Sequence, residues 1–180
     1  MLVYQRRSVL LLTPFHRTMA KSGSISVNYI EYDSLSDLTA EDQELVKAAH
    51  SAALRAYAPY SKFYVGAALR TIDGAIVTGN NQENASFPAG ICAERTALHA
   101  AMSQSPNSVI TTMAVIVPQV TGKRPVSPCG ICRQALLEQE ARQDRKPLRM
   151  LMAVHNGPVF ELSSAAALLP LYFDASFLNG

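Results

Sequence analysis

Three thiols and one carboxylate fall in two short blocks of this chain. Pro88-Ala-Gly-Ile-Cys-Ala-Glu-Arg-Thr-Ala97 sets Cys92 two residues before Glu94, and Pro128-Cys-Gly-Ile-Cys-Arg133 sets Cys129 three residues before Cys132. A spacing of three brings both thiols to the same side of a helix start. The chain has 3 cysteines and all lie in these blocks, an odd count that suits a metal site better than a disulfide framework. Three thiolate ligands are a donor set for Zn2+, and three protein ligands leave a fourth position for water, the pattern of catalytic zinc. Glu94 needs no ligand role and is placed to take a proton from that water. The competing arrangement is a structural zinc knuckle closed by His99, seven residues beyond Cys92 on the same helix face, or by His155.

The elements that carry these residues follow from periodicity and turn chemistry. Thr39 with Asp42 three residues on marks a helix start, and Leu45, Ala48, Ala49, Ala52, Ala53 and Ala56 continue it as an apolar stripe that Pro59 ends. Phe63 to Thr71 and Ala75 to Gly79 read as a hairpin about Asp73-Gly74. Asn80 to Gly90 reads as a loop, and Cys92 to Met102 as a second helix. Val109 to Val117 is a β-branched run with the pattern of a fully buried strand. Cys129 opens a third helix running to about Glu140. A second hairpin follows about Asn156-Gly157, with strands at Leu148 to Val154 and Val159 to Leu162, and Ser163 caps a short fourth helix ending at Pro170. This order predicts a three-layer α/β/α sandwich with a five-stranded mixed sheet.

Cys92 and Cys129 both stand at predicted helix starts, so two helix N-termini would face one ion. Three thiolates on Zn2+ leave a net negative site and a weak Lewis acid. Helix N-termini offset that charge, and the Arg95 guanidinium beside Cys92 can donate to a thiolate.

The 180 residues suffice for one domain with a sizeable core. No apolar run approaches the ~18–20 residues of a membrane helix, so no membrane role is expected. The net charge is +2, but Arg6, Arg7, Arg17 and Lys21 lie in the first 22 positions, which hold no acid; the rest carries 12 basic against 14 acidic residues. The basic character therefore belongs to the N-terminal arm, and no nucleic-acid polymer is expected as partner. The arm has the composition of an organelle transit peptide, and equally of a disordered extension or of sequence upstream of a start at Met19. Thiolate ligands call for a reducing compartment such as the cytoplasm. The division expected is an N-terminal extension over 1–37 and one domain over 38–180.

At these blocks the chain resembles the small, homotetrameric, zinc-dependent cytidine deaminases of pyrimidine salvage. Further stretches carry the resemblance: Tyr57-Ala-Pro-Tyr-Ser-Lys-Phe-Tyr-Val-Gly-Ala-Ala68, Asn81-Gln-Glu-Asn-Ala85, and Leu168-Leu-Pro-Leu-Tyr-Phe173. It spans roughly residues 38–175. The resemblance implies that Cys92, Cys129 and Cys132 bind one zinc per subunit and that Glu94 shuttles protons. It further implies that Asn81 and Glu83 bind the ribose hydroxyls of a nucleoside, that Phe63 stacks on the pyrimidine, and that backbone near Ala93 reads the base edge. Phe87 and Phe173 would approach a neighbouring subunit's pocket in a homotetramer. The family often has Tyr where Phe87 stands and an apolar residue where Gln82 stands. The implied reaction is hydrolytic deamination of cytidine and deoxycytidine, releasing ammonia. The alternatives are a blasticidin-type deaminase, a polynucleotide-editing deaminase and a non-catalytic zinc-stabilised interaction module; only the last has no use for Glu94.

Overall fold

The hydroxyl of Thr39 accepts from the Asp42 backbone N–H and starts helix α1, Ala40–Ala53, as its spacing predicts. In the computed structural model, which describes residues 21–178, strands β1 (Ile30–Tyr32), β2 (Gly66–Thr71), β3 (Ile76–Asn80), β4 (Ile110–Ile116), β5 (Arg149–Ala153) and β6 (Val159–Leu162) form one mixed sheet in the order β1-β6-β5-β4-β2-β3. Only β4 and β5 run parallel; helix α3, Gly130–Arg142, connects them. Helix α2, Ala93–Gln104, connects β3 to β4.

Period-two alternation divides the strands between two cores. Ala67, Leu69, Met113, Val115 and Met150 face α2 and α3, with Leu98 and Leu136 packed against them. Ala68, Ala114, Ile116 and Leu151 face the opposite way, toward Leu45, Val46 and Ala49 of α1. The α/β/α layering thus has α1 on one side and the helices bearing the cysteines on the other. Among the described residues no helix is long and apolar enough to cross a membrane.

The sheet has six strands, not the five expected. The additional strand is β1, which pairs antiparallel with β6. It lies before residue 38, inside the stretch assigned above to the extension. Three residues, two of them exposed, are too few to register as alternation. Tertiary contacts hold β1: Tyr32 donates to Glu161 at 3.0 Å, and the ring of Tyr29 stacks on Phe160 at 4.6 Å. The expected fourth helix is a 3-10 turn, Ala165–Leu168, capped by Ser164 rather than Ser163. The arm over 1–20 lies outside the described residues.

Two glycines set the depth of the helices on the sheet. A Cβ at Gly66 would lie 1.9 Å from the Ala49 carbonyl oxygen, and one at Gly79 would lie 2.3 Å from the Ala97 nitrogen. Ala93 and Ala97 are fully buried, so the small-residue face of α2 is used inside the chain, against β3.

Candidate metal centre and cleft

Cys92 is the N-cap of α2 and Cys129 the N-cap of α3, so both sulfurs stand at helix N-termini. Cys132 follows in the first turn of α3. The residue before Cys92 is fixed by a reciprocal backbone bridge, Gln82 N–H to Ile91 O at 2.9 Å and Ile91 N–H to Gln82 O at 3.0 Å. The sulfurs of Cys92 and Cys129 are 3.8 Å apart, those of Cys129 and Cys132 are 3.5 Å apart, and all three lie within 4.8 Å of one another.

This cluster fits the zinc its residues imply. Tetrahedral ligation with bonds of about 2.3 Å separates sulfurs by about 3.8 Å. The protonation chemistry agrees. The neighbouring Cys132, acting against burial and aided by Cys129 and Arg95, brings the Cys92 thiol down to about 5. Cys92 in turn, with burial and the Glu94 carboxylate, pushes the Cys132 thiol up. Ionising one sulfur thus makes its neighbour harder to ionise, a charge that a bound cation would offset.

No imidazole joins the cluster among the described residues. His99 is exposed on α2, and His155 stacks on His50 at 5.0 Å. The structural knuckle closed by either histidine is therefore not built here.

Glu94 is only 5 % exposed, in the first turn of α2. Burial raises its carboxyl above the ordinary range, and the charge of Cys92 adds to that; bonds to its own backbone N–H and to Cys132 work the other way. A carboxyl in this setting binds its proton more tightly than a free one does, which suits a group that takes and returns protons. The Arg95 guanidinium lies against the same sulfurs. Burial opposes its charge, but bonds to Cys92 and Cys132 outweigh this and raise its affinity for the proton. Its buried Nε–H has no partner among the described residues.

A cleft of about 640 Å³ opens beside Cys92 and Arg95, lined also by Tyr60, Ser61, Asn81, Glu83, Phe87 and Ile131. It brings together five of the site residues singled out above: Asn81, Glu83, Phe87, Cys92 and Arg95. Asn81 and Glu83 also brace the neighbouring loop. Asn81 accepts from Val65 N–H and donates to Phe63 O, each at 2.8 Å. Glu83 accepts from the backbone of Tyr60 and Ser61 at 2.9 and 3.2 Å and from the Ser61 hydroxyl. The Ser61 hydroxyl, then the two N–H groups, hold its carboxyl below the usual range, so it stays an acceptor.

Phe63 and Phe173 do not line the cleft, yet neither is core, at 39 % and 57 % exposed. Phe173 stacks on Phe177, and its carbonyl accepts from Gln134. Phe87, 77 % exposed, meets Tyr60 edge-on. Ala93 is buried at the start of α2, behind the cleft wall. Sequence reasoning missed Tyr60, Ser61 and Ile131 as cleft walls. The available signal was an apolar residue at an exposed position between the two cysteines of α3.

Residues 39–144 match the family model described as the cytidine and deoxycytidylate deaminase zinc-binding region. The chain belongs to the cytidine deaminase family. It is 42 % identical over 137 residues to a cytidine deaminase of Halalkalibacterium halodurans, covering 76 % of this chain and 97 % of that relative. The crystal structure of cytidine deaminase from Burkholderia pseudomallei superposes with a TM-score of 0.65 at 39 % identity, covering 76 % of this chain and all of that one. A Blasticidin-S deaminase of Bacillus cereus is 33 % identical over 104 residues, 56 % of this chain and 74 % of that relative. As a member of this family the chain is a hydrolytic deaminase.

Proposed function

We propose that this protein converts cytidine and deoxycytidine to uridine and deoxyuridine, releasing ammonia, as a zinc enzyme of pyrimidine salvage. The observation that carries this reading is the convergence of Cys92, Cys129 and Cys132 at two helix N-termini with buried Glu94 beside Cys132. The relatives named above supply the substrate class.

Cys92, Cys129 and Cys132 would hold one zinc per subunit, which would supply a water made nucleophilic near neutral pH. Glu94 takes a proton from the attacking water and delivers it to ring N3, which makes C4 electrophilic. As the water oxygen bonds to C4, that carbon becomes tetrahedral. Glu94 then takes the remaining proton from that oxygen and passes it to the amino group; the C4–N bond breaks as the C4–O double bond forms, and ammonia leaves. One carboxylate makes every transfer, which its burial and raised proton affinity suit. Arg95 offsets the charge of the sulfurs. Asn81 and Glu83 accept from the ribose hydroxyls, with Phe63 against the base and the backbone at Ala93 on its edge.

The assembly proposed is a homotetramer in the cytoplasm. Support comes from apolar side chains left at the surface: Phe87, Leu171, Phe173, Phe177 and Leu178. Residues 1–37 are proposed as an appendage to the catalytic domain, with β1 as its anchor on β6. Zinc-loaded protein assayed by absorbance is expected to act on cytidine and deoxycytidine and to leave cytosine and CMP untouched. Turnover of blasticidin S with none of cytidine would replace this reading with the antibiotic one.

A further inference from the structure

The two cap cysteines are held in place by different means. Cys92 follows a residue pinned by the backbone bridge between Gln82 and Ile91. Cys129 follows Ser127 and Pro128, which make no backbone–backbone hydrogen bond among the described residues. Pro128 has no N–H to give, and its carbonyl precedes the first one that α3 uses, that of Cys129 accepting from Arg133 N–H at 2.9 Å. The loop therefore reaches the metal cluster without a backbone anchor of its own.

Arg133 supplies the anchor. Helical side chains lean toward the N-terminus, so a long side chain one turn into α3 reaches back past the helix start. Arg133 Nε donates to Pro128 O at 2.7 Å, Nη2 to Ser127 Oγ at 3.0 Å, and Nη1 to Leu168 O at 2.9 Å. Among the described residues, these are the hydrogen bonds that Ser127 and Pro128 make with the rest of the chain. The rigid guanidinium fork meets all three acceptors with three separate nitrogens, which the single ammonium of lysine cannot do. The next residue, Gln134, donates to Phe173 O at 3.0 Å. Successive residues of α3 thus grip the loop before Cys129 and the C-terminal segment after Leu168.

We propose that Arg133 is a positioning residue of the metal centre: by clamping Ser127–Pro128 to the Leu168 carbonyl it fixes the direction of the Cys129 thiol. Arg133 is neither in the cysteine cluster nor in the cleft wall; it acts through the backbone that leads into Cys129. The inference rests on the reading of the three cysteines as zinc ligands.

The test is zinc release from the holoenzyme to a colorimetric chelator, measured well below the melting temperature. Arg133→Lys is expected to release zinc about tenfold faster than wild type, the size seen when supports of metal ligands are removed. Ser127→Ala, which removes one of the three acceptors, is expected to fall between. Gln134→Ala, which frees the tail without touching the loop, is expected to release zinc at the wild-type rate. With Co2+ in place of zinc, Arg133→Lys is expected to shift the visible absorption bands, because these report ligand geometry and a general loss of stability would not move them.

Release from Arg133→Lys and Ser127→Ala at the wild-type rate, with unchanged cobalt bands, overturns the inference. So does equal acceleration in Gln134→Ala, since the effect then belongs to the tail. Ser127→Ala keeps the proposal testable if the arginine variant does not fold. A wild-type chain that retains no zinc after loading overturns the reading of the cysteines themselves, an outcome distinct from retained zinc that the variants release no faster.

Discussion

The sulfur of Cys92 lies 3.8 Å from that of Cys129, although 37 residues separate them. The sheet makes this meeting: α2 and α3 pack on the same face and start at the same edge of the fold. Each cysteine is the cap of its helix, so the positive end of the helix dipole faces a thiolate in both cases.

Cys132→Ala is expected to abolish zinc binding, read as metal per subunit after loading and desalting. Cys132 is the buried member of the trio, and its loss leaves two of the three sulfurs. Metal removal should act on stability as well. Zinc at a thousandfold above its Kd contributes about 4 kcal/mol. At about 2–4 °C per kcal/mol for a chain of this size, chelation should lower the wild-type melting temperature by about 10 °C and leave Cys132→Ala unmoved.

Glu94→Gln is expected to keep zinc, fold and melting temperature while kcat falls by about 10³-fold or more. Gln matches the shape of Glu94 and carries no transferable proton. Near-normal turnover of cytidine by this variant would remove Glu94 from the mechanism.

Asn81→Ala removes two bonds, to Phe63 O and Val65 N, and one cleft polar group. KM for cytidine should rise about tenfold or more, with a loss of about 1–2 kcal/mol in stability, because the loop of residues 60–65 loses its brace. Steady-state kinetics and thermal melting read the two effects separately. A variant with wild-type KM and a lowered melting temperature would make Asn81 a loop brace alone.

Glu140 is buried on α3 and accepts from Leu148 N–H, Ala165 N–H and the Ser164 hydroxyl, each within 2.9 Å. It ties α3 to the start of β5 and to the 3-10 turn. Glu140→Ala leaves two buried N–H groups without acceptors and is expected to cost about 3 kcal/mol. Chemical denaturation measures this, and kcat at a temperature where the variant is folded should remain near wild type.

Gly66→Ala is expected to prevent normal folding, since the added carbon would meet the Ala49 carbonyl at 1.9 Å and force α1 off the sheet. Soluble yield and the far-ultraviolet spectrum of the purified variant report the outcome.

Residue type and spacing by themselves determined the donor set and the helices that present it. Thr39, Cys92 and Cys129 mark helix starts in the sequence and are N-caps in the structure. The hairpin about Asp73-Gly74 and the buried strand β4 were equally legible, because turn chemistry and a β-branched run are local. Strand β1 was not, since its three residues are held by β6, almost 130 positions away. Separation in sequence, here 16 and 23 residues, likewise hides the dual work of Asn81 and Glu83, which the loop alone presents as free polar groups. It also hides the clamp made by Arg133, whose acceptors include Leu168, 35 residues on. Local periodicity reports what a segment prefers, while pairings between distant segments depend on which surfaces the packed sheet brings together. The cysteines and their spacing were therefore written in the chain, and their meeting at one point was decided by the fold.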